Sequence, residues 1–260
     1  MGSSLPGAAM IVESISPTLR STLSVATDVV FFTGAGMSAE SGVPTFRGDD
    51  GIWKKFKPEE LANFDAFMRN PGLVWEWYRH RKRLISEISP HAGHRAIAAM
   101  ERLFDRVTVI TQNIDNLHRR AGSSRIHELH GNIERNYCIN CGKDYPDESI
   151  FTGDGIPHCK SCNGLIRPDV VWFGEMLPAN EWDAGVAATE RADLFFAVGT
   201  SAVVYPAASL PRIAKRSGAR VVEINTERTD LTPHADEFIQ AKAGEALPAL
   251  AELVTALKRP

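Results

Sequence analysis

Short runs of β-branched and aromatic residues, closed by turn formers, punctuate the chain. They stand at residues 28–33 (DVVFFT), 106–111 (RVTVIT), 193–198 (DLFFAV) and 220–224 (RVVEI), with a shorter run at 237–240. None alternates polar with apolar positions, which is the pattern of strands covered on both faces. Between them, apolar residues fall at helical spacing over 71–89, 91–104, 180–191, 206–217 and 245–258. Strands alternating with helices predict an α/β fold with an open, mostly parallel sheet.

Two segments break the alternation. Residues 51–104 are helical with no strand, and 137–167 are rich in Cys, Gly, Asp and Pro. Both read as insertions that build a smaller lobe beside the sheet. Residues 20–50, 105–136 and 167–260 then form the large domain. A helical module (51–104) and a cysteine module (137–166) form the small lobe, and 1–19 are an extension. Ligands of such sheets bind at the carboxyl ends of the strands, so the cleft between lobes is the expected site.

A length of 260 residues allows one large domain or two modest ones. Charged residues are 23% and hydrophobic residues 43%, which excludes a disordered chain. The net charge of -3 speaks against binding nucleic acid through its phosphates. Residues 1–10 lack the basic and apolar regions of a secretion signal. The uncharged stretch 194–211 contains Gly199, Thr200, Ser201, Pro206 and Ser209, and reads as a strand, a turn and a helix start. A cytoplasmic protein with no membrane association is expected.

Four cysteines carry the sharpest chemical signal. Cys138-x2-Cys141 and Cys159-x2-Cys162 are separated by 17 residues, a zinc-ribbon spacing. Four thiolates complete a tetrahedral shell, so Zn2+ here is expected to be structural. The first strand runs into Gly34-Ala35-Gly36-Met37-Ser38. Glycines at a strand-to-helix turn let backbone approach a pyrophosphate. The third glycine and the acidic residue of a hydride-transferring dehydrogenase are missing, which points to a different dinucleotide user. The second strand ends in Gln112-Asn113-Ile114-Asp115-Asn116, a row of polar side chains that is costly at a buried strand mouth unless it binds something. His130 follows shortly, within Glu128-Leu129-His130-Gly131-Asn132, just before the cysteine module.

Taken in order, GAGMSAESGVPTFRG (34–48), TQNIDNLH (111–118), HGN (130–132), the paired CxxC, VWFGE (171–175), GTS (199–201) and IN (224–225) resemble the sirtuins. These are NAD-dependent protein lysine deacylases. The resemblance implies a Rossmann-like, doubly wound domain plus a zinc-and-helix lobe. It places Gly34, Ala35, Gly36, Ser38 and Arg47 at the phosphates and Phe46 over the nicotinamide ribose. Gln112 and Asn113 would orient the ribose and a water, while Ile114 and Asp115 would hold the carboxamide. Gly199, Thr200, Ser201, Asn225 and Ala243 would surround the adenosine part. His130 would be the general base, with Asn113 assisting. The backbone of Val171, Phe173, Gly174 and Glu175 would pair with an acyl-lysine protein bound as an extended peptide, the enzyme acting as a monomer.

Rival readings are an ADP-ribosyltransferase using the same cleft, a mainly deacetylating enzyme, and a non-catalytic zinc-ribbon module. The acyl preference turns on the helix at 72–89. Its apolar stripe of Val74, Trp77, Tyr78, Leu84, Ile85 and Ile88 includes Arg81, whereas Arg79, His80, Lys82 and Arg83 read as a solvated basic face. Within the family, Tyr78-x-x-Arg81 resembles the branch that removes succinyl and malonyl groups.

Overall fold

The computed structural model describes residues 7–44, 61–146 and 155–258. Its helices are α1 (Ala8–Ser14), α2 (Pro17–Val25), α3 (Ala35–Ser38), α4 (Phe64–Arg69), α5 (Pro71–Glu87), α6 (Ala92–Met100), α7 (Leu117–Arg120), α8 (Ala179–Arg191), α9 (Leu210–Arg216) and α10 (Ala243–Leu257). The strands are β1 (Asp28–Thr33), β2 (Arg106–Thr111), β3 (Ile126–Glu128), β4 (Gly131–Cys138), β5 (Asp144–Pro146), β6 (Ile166–Val170), β7 (Leu194–Val198), β8 (Arg220–Asn225) and β9 (Glu237–Gln240).

Six strands form one parallel sheet in the order β3-β2-β1-β7-β8-β9. Alternate residues of its central strands feed opposite layers, as the pleat requires. Val29, Phe31, Phe196, Val222 and Ile224 pack with residues of α1, α2, α6 and α10. Val30, Phe32, Phe195, Ala197 and Val221 pack with α8 and α9. Phe31 stacks on Phe196 across the β1–β7 pair, with ring centroids 5.0 Å apart. Both faces are therefore dry, which is why these strands read as continuous apolar runs.

The smaller sheet, β5-β4-β6, is antiparallel and packs against α4 and α5 through Phe67, Val74, Trp75, Tyr78, Ile133, Ile166 and Trp172. Asn70 caps α5 by accepting from the Leu73 amide at 3.2 Å, and Pro71 fills the first helical position.

Two readings of α5 need correction. Its buried positions are Val74, Trp75, Tyr78, Arg81, Lys82 and Ile85, while Leu84 is 41% exposed. The stripe is rotated because Trp75 turns inward, its Nε1 donating to the Ile166 carbonyl at 2.9 Å. Lys82 is not on a solvated face: it is buried, and its Nζ donates to Asn136 Oδ1 at 3.0 Å.

Candidate active site

The large sheet reverses its strand order between β1 and β7, and the loops leaving these two strands meet at that point. Gly34 donates its amide to the Val198 carbonyl at 3.1 Å, and Gly36 donates to Gly199 at 2.8 Å. Gly199 has φ of 56°, and a Cβ there would sit 2.3 Å from the Met37 amide nitrogen. The glycines thus do more than leave room for a ligand. They let two loops lock backbone to backbone at the mouth of the sheet.

Above this junction lies a cleft of about 600 Å³. Its lining includes Gly34, Ala35, Gly36, Gln112, Asn113, Ile114, His130, Gly199, Thr200, Ser201 and Asn225 from the large-sheet side. Tyr78, Arg81, Val171, Phe173, Gly174 and Glu175 line it from the other. Three expected residues stand elsewhere. Ser38 and Asp115 are buried behind the wall, and Ala243 starts α10 within the apolar core. Phe46 and Arg47 lie outside the described residues.

The polar strand ends form a connected layer under the cleft floor. The Thr33 hydroxyl oxygen lies 2.9 Å from that of Thr111 and 3.0 Å from His118 Nε2. Thr111 Oγ1 accepts from the Asn113 amide at 3.0 Å. The Asn113 side chain then donates to the Gly34 carbonyl at 2.9 Å and to Ser38 Oγ at 3.0 Å. Gln112 reaches across to Thr200 Oγ1 at 2.9 Å. Thr33 and Thr111 could have been suspected from sequence, since each is a polar residue ending a buried strand, whereas His118 arrives from α7.

His130 sits where β3 passes into β4, followed by Gly131 with φ of 78°. A Cβ on Gly131 would lie 2.2 Å from the Asp169 carbonyl oxygen of the neighbouring strand. His130 Nδ1 is 2.9 Å from the Gln112 carbonyl, which can only accept. Nδ1 therefore carries the proton and Nε2 is left with a lone pair. Burial holds the His130 pKa below its ordinary value, opposed in part by that hydrogen bond.

On the opposite wall, Tyr78 and Arg81 are 1% and 7% exposed. The Tyr78 hydroxyl accepts from Trp172 Nε1 at 2.8 Å. The Arg81 guanidinium stands 4.9 Å from the Trp77 ring centroid. Burial lowers the pKa of Arg81, and the charges of Tyr78 and Asp115 raise it again. The Asp115 carboxyl is pushed up by its own burial. Next to this wall the segment from Val171 to Glu175 is tightly held. Val171 donates to the His130 carbonyl at 3.0 Å and Phe173 to that of Ala62 at 2.9 Å. Glu175 accepts from the Trp172 amide at 2.7 Å and from Arg167 at 2.5 and 2.9 Å.

The four cysteines form two matching knuckles. Gly142 and Asn163, each four residues beyond a first cysteine, adopt left-handed φ of 69° and 59°. Each donates its amide back to that cysteine's carbonyl, at 2.9 and 2.8 Å. All four sulfurs lie within 4.8 Å of one another. Cys138 Sγ is 3.4 Å from Cys162 Sγ, and Cys141 Sγ is 3.6 Å from Cys159 Sγ. Tetrahedral zinc with bonds of about 2.3 Å needs sulfurs about 3.8 Å apart, so the set fits the metal. The Tyr145 hydroxyl donates to Cys159 at 3.2 Å and holds its thiol low, at about 5. All-thiolate donors leave no open position, which suits a structural zinc.

A cleft opening where strand order reverses, between glycine turns, is where doubly wound α/β enzymes take nucleotides, and this chain is built as one of that class. The Sir2 family model matches residues 34–206. NAD-dependent protein deacylase 2 of Pyrobaculum aerophilum is 55% identical over 229 residues, covering 86% of this chain and 90% of that one. The NAD-dependent protein deacylase of Aquifex aeolicus is 50% identical over 220 residues, covering 85% and 92%. A solved Sir2 homolog–NAD complex superposes with a TM-score of 0.88 at 45% identity, covering 94% of this chain and 95% of its own. A Sir2–p53 peptide–NAD+ complex does so with 0.80 at 34% identity, covering 91% and 97%. The chain belongs to the Sir2 family, the sirtuins, and is an NAD-dependent protein deacylase.

Proposed function

We propose that this deacylase prefers acyl groups ending in a carboxylate, succinyl and malonyl, over acetyl. The observation that carries the reading is a buried guanidinium, Arg81, on the cleft wall beside the Tyr78 hydroxyl. An apolar wall would serve an acetyl methyl, whereas a desolvated cation favours an anionic tail through charge-assisted hydrogen bonds. Tyr78 is already fixed by Trp172, so it meets the ligand without further ordering.

NAD, when bound, would supply ribose C1′ as the electrophile: the acyl oxygen would bond to C1′ as the nicotinamide C–N bond breaks, and one water would be consumed as the free lysine amine and O-acyl-ADP-ribose are released. His130 Nε2 takes the proton from the attacking ribose hydroxyl, and Gln112 holds the imidazole through its carbonyl. Asn113, pinned by Gly34 and Ser38, presents the polar edge that orients ribose and water. Gly34, Ala35 and Gly36 face the phosphates. Ile114 holds the carboxamide, while Gly199, Thr200, Ser201 and Asn225 surround the adenosine part. The amides of Val171, Trp172, Phe173 and Glu175 are engaged within the protein, so an added peptide strand would pair through the Gly174 amide and the segment's carbonyls. The enzyme would act as a monomer, and a reducing cytoplasm would keep the four thiols available to zinc.

Losing one partner of a desolvated charge pair costs roughly 2–5 kcal/mol. Arg81→Met is therefore expected to cut kcat/KM for a succinyl peptide by about 30-fold or more and to spare the acetyl peptide. Wild-type enzyme favouring acetyl over succinyl peptide, or a variant that loses both equally, would overturn the preference.

A further inference from the structure

β8 carries one residue its strand pattern does not explain. Val221 and Glu223 face the same layer, and Val221 sits there in the apolar cluster with Leu231. Glu223 is 0% exposed. A carboxyl group at such a position is costly unless both oxygens are satisfied. They are: Oε1 accepts from Thr229 Oγ1 at 2.6 Å and Oε2 from Thr232 Oγ1 at 2.5 Å. The direction of both bonds is fixed by the backbone. Thr229 Oγ1 already accepts from the Leu231 amide at 3.1 Å, and Thr232 Oγ1 from the Thr229 amide at 2.8 Å. Each hydroxyl proton is thus directed to Glu223.

The segment tied down in this way is the connection from β8 to β9. Its outer residues, Thr226 to Asp230, line the cleft beyond Asn225, and Asn225 itself donates to the Thr200 carbonyl at 3.2 Å. One buried carboxyl group therefore sets the course of a loop that forms one end of the NAD cleft. It touches neither the acyl wall nor His130.

We propose that Glu223 is a positioning residue for the co-substrate: through Thr229 and Thr232 it shapes the loop that receives the adenosine half of NAD. The inference rests on the placement of adenosine beside Asn225. Its mark is a split between binding and turnover, because the loop is remote from the reacting atoms.

Glu223→Ala and, separately, Thr229→Val are to be assayed with NAD and acyl peptide, and titrated calorimetrically with ADP-ribose. Both are expected to raise the KM for NAD and weaken ADP-ribose, by about tenfold in Glu223→Ala and less in Thr229→Val. Peptide KM and kcat should stay within about twofold. Glu223→Gln, which keeps one acceptor, should fall between wild type and alanine. Should Glu223→Ala not fold, Thr229→Val carries the test alone. Unchanged NAD KM and ADP-ribose affinity, with only a lowered melting temperature, would show that Glu223 merely supports the fold. Equal loss of kcat would also overturn the proposal. A wild-type enzyme that did not consume NAD with acyl peptide would instead refute the deacylase reading.

Discussion

The imidazole of His130 meets an acceptor at Nδ1, so the lone pair that the proposed proton abstraction would use stays on Nε2 at every pH where the ring is neutral. Burial lowers its pKa, because charging the ring would require desolvating a cation. As the proposed general base the ring would work deprotonated, and a lowered pKa extends that state to lower pH. The acid limb of kcat/KM in the wild-type enzyme is therefore expected below pH 6.5, the ordinary histidine value. A midpoint at or above 6.5 would mean that the titrating base is another group. At this scale the sequence was informative wherever chemistry forced a residue type: His130, Asn113 and the glycines were legible from their motifs. Lys82 and Glu223 were not, since a charged letter in a helix or strand looks solvated until a partner such as Asn136, Thr229 or Thr232 arrives from a distant segment.

At the scale of elements, the cysteine knuckles are the clearest case of local sequence dictating local structure. Their matched turns fold the thiols inward, yet the three-stranded sheet around them is small and its β5 edge strand has only three residues. Metal binding and folding of such a module are one equilibrium. Cys141 is exposed, so Cys141→Ser removes a ligand without opening a core cavity. The variant is expected to lose its zinc and the small lobe's cooperative melting. Full metal content with a native melting curve would show that the ligand set is wrong. The long parallel strands were equally legible, because being covered on both faces leaves an unbroken apolar run. β3 and β5 were not, having three residues each and pairing across the chain rather than by local propensity. The stripe on α5 was misjudged by a rotation for a related reason. Periodicity gives a face, and only the partner, here β4 and β6 with Trp75 reaching Ile166, decides where that face is centred.

The whole molecule joins its cleft to its core through three histidines in edge-to-face contact beneath the glycine turn after β1. His91 donates from Nε2 to the Met37 carbonyl at 2.5 Å, and its Nδ1 accepts from the Gly93 amide at 2.9 Å. His94 packs on it at 4.3 Å between ring centroids, and His118 on His94 at 4.9 Å. Neither nitrogen of His94 has a hydrogen-bond partner among the described residues. Burial, followed by its histidine neighbours and Arg95, pushes His94 down to about 2. Burial and then His91 push His118 down to about 3. The unfolded chain titrates these rings near 6.5, and the folded chain keeps them neutral far below that. Above pH 6.5 both states are neutral and stability does not depend on them. Below it, the unfolded state takes up protons the native state refuses, so stability falls as pH falls, by up to about 1.4 kcal/mol per pH unit for each ring. The two rings together should remove about 3 kcal/mol between pH 6.5 and 5. His94→Leu keeps an apolar filling at that place and removes one of the two groups, so about half of the loss should disappear. Urea midpoints of wild type and variant at pH 7 and pH 5 measure it, and any release of zinc in acid affects both proteins alike. If the two midpoints fell in parallel, the acid sensitivity of this protein would have to lie in other groups than the histidine cluster that underlies its cleft.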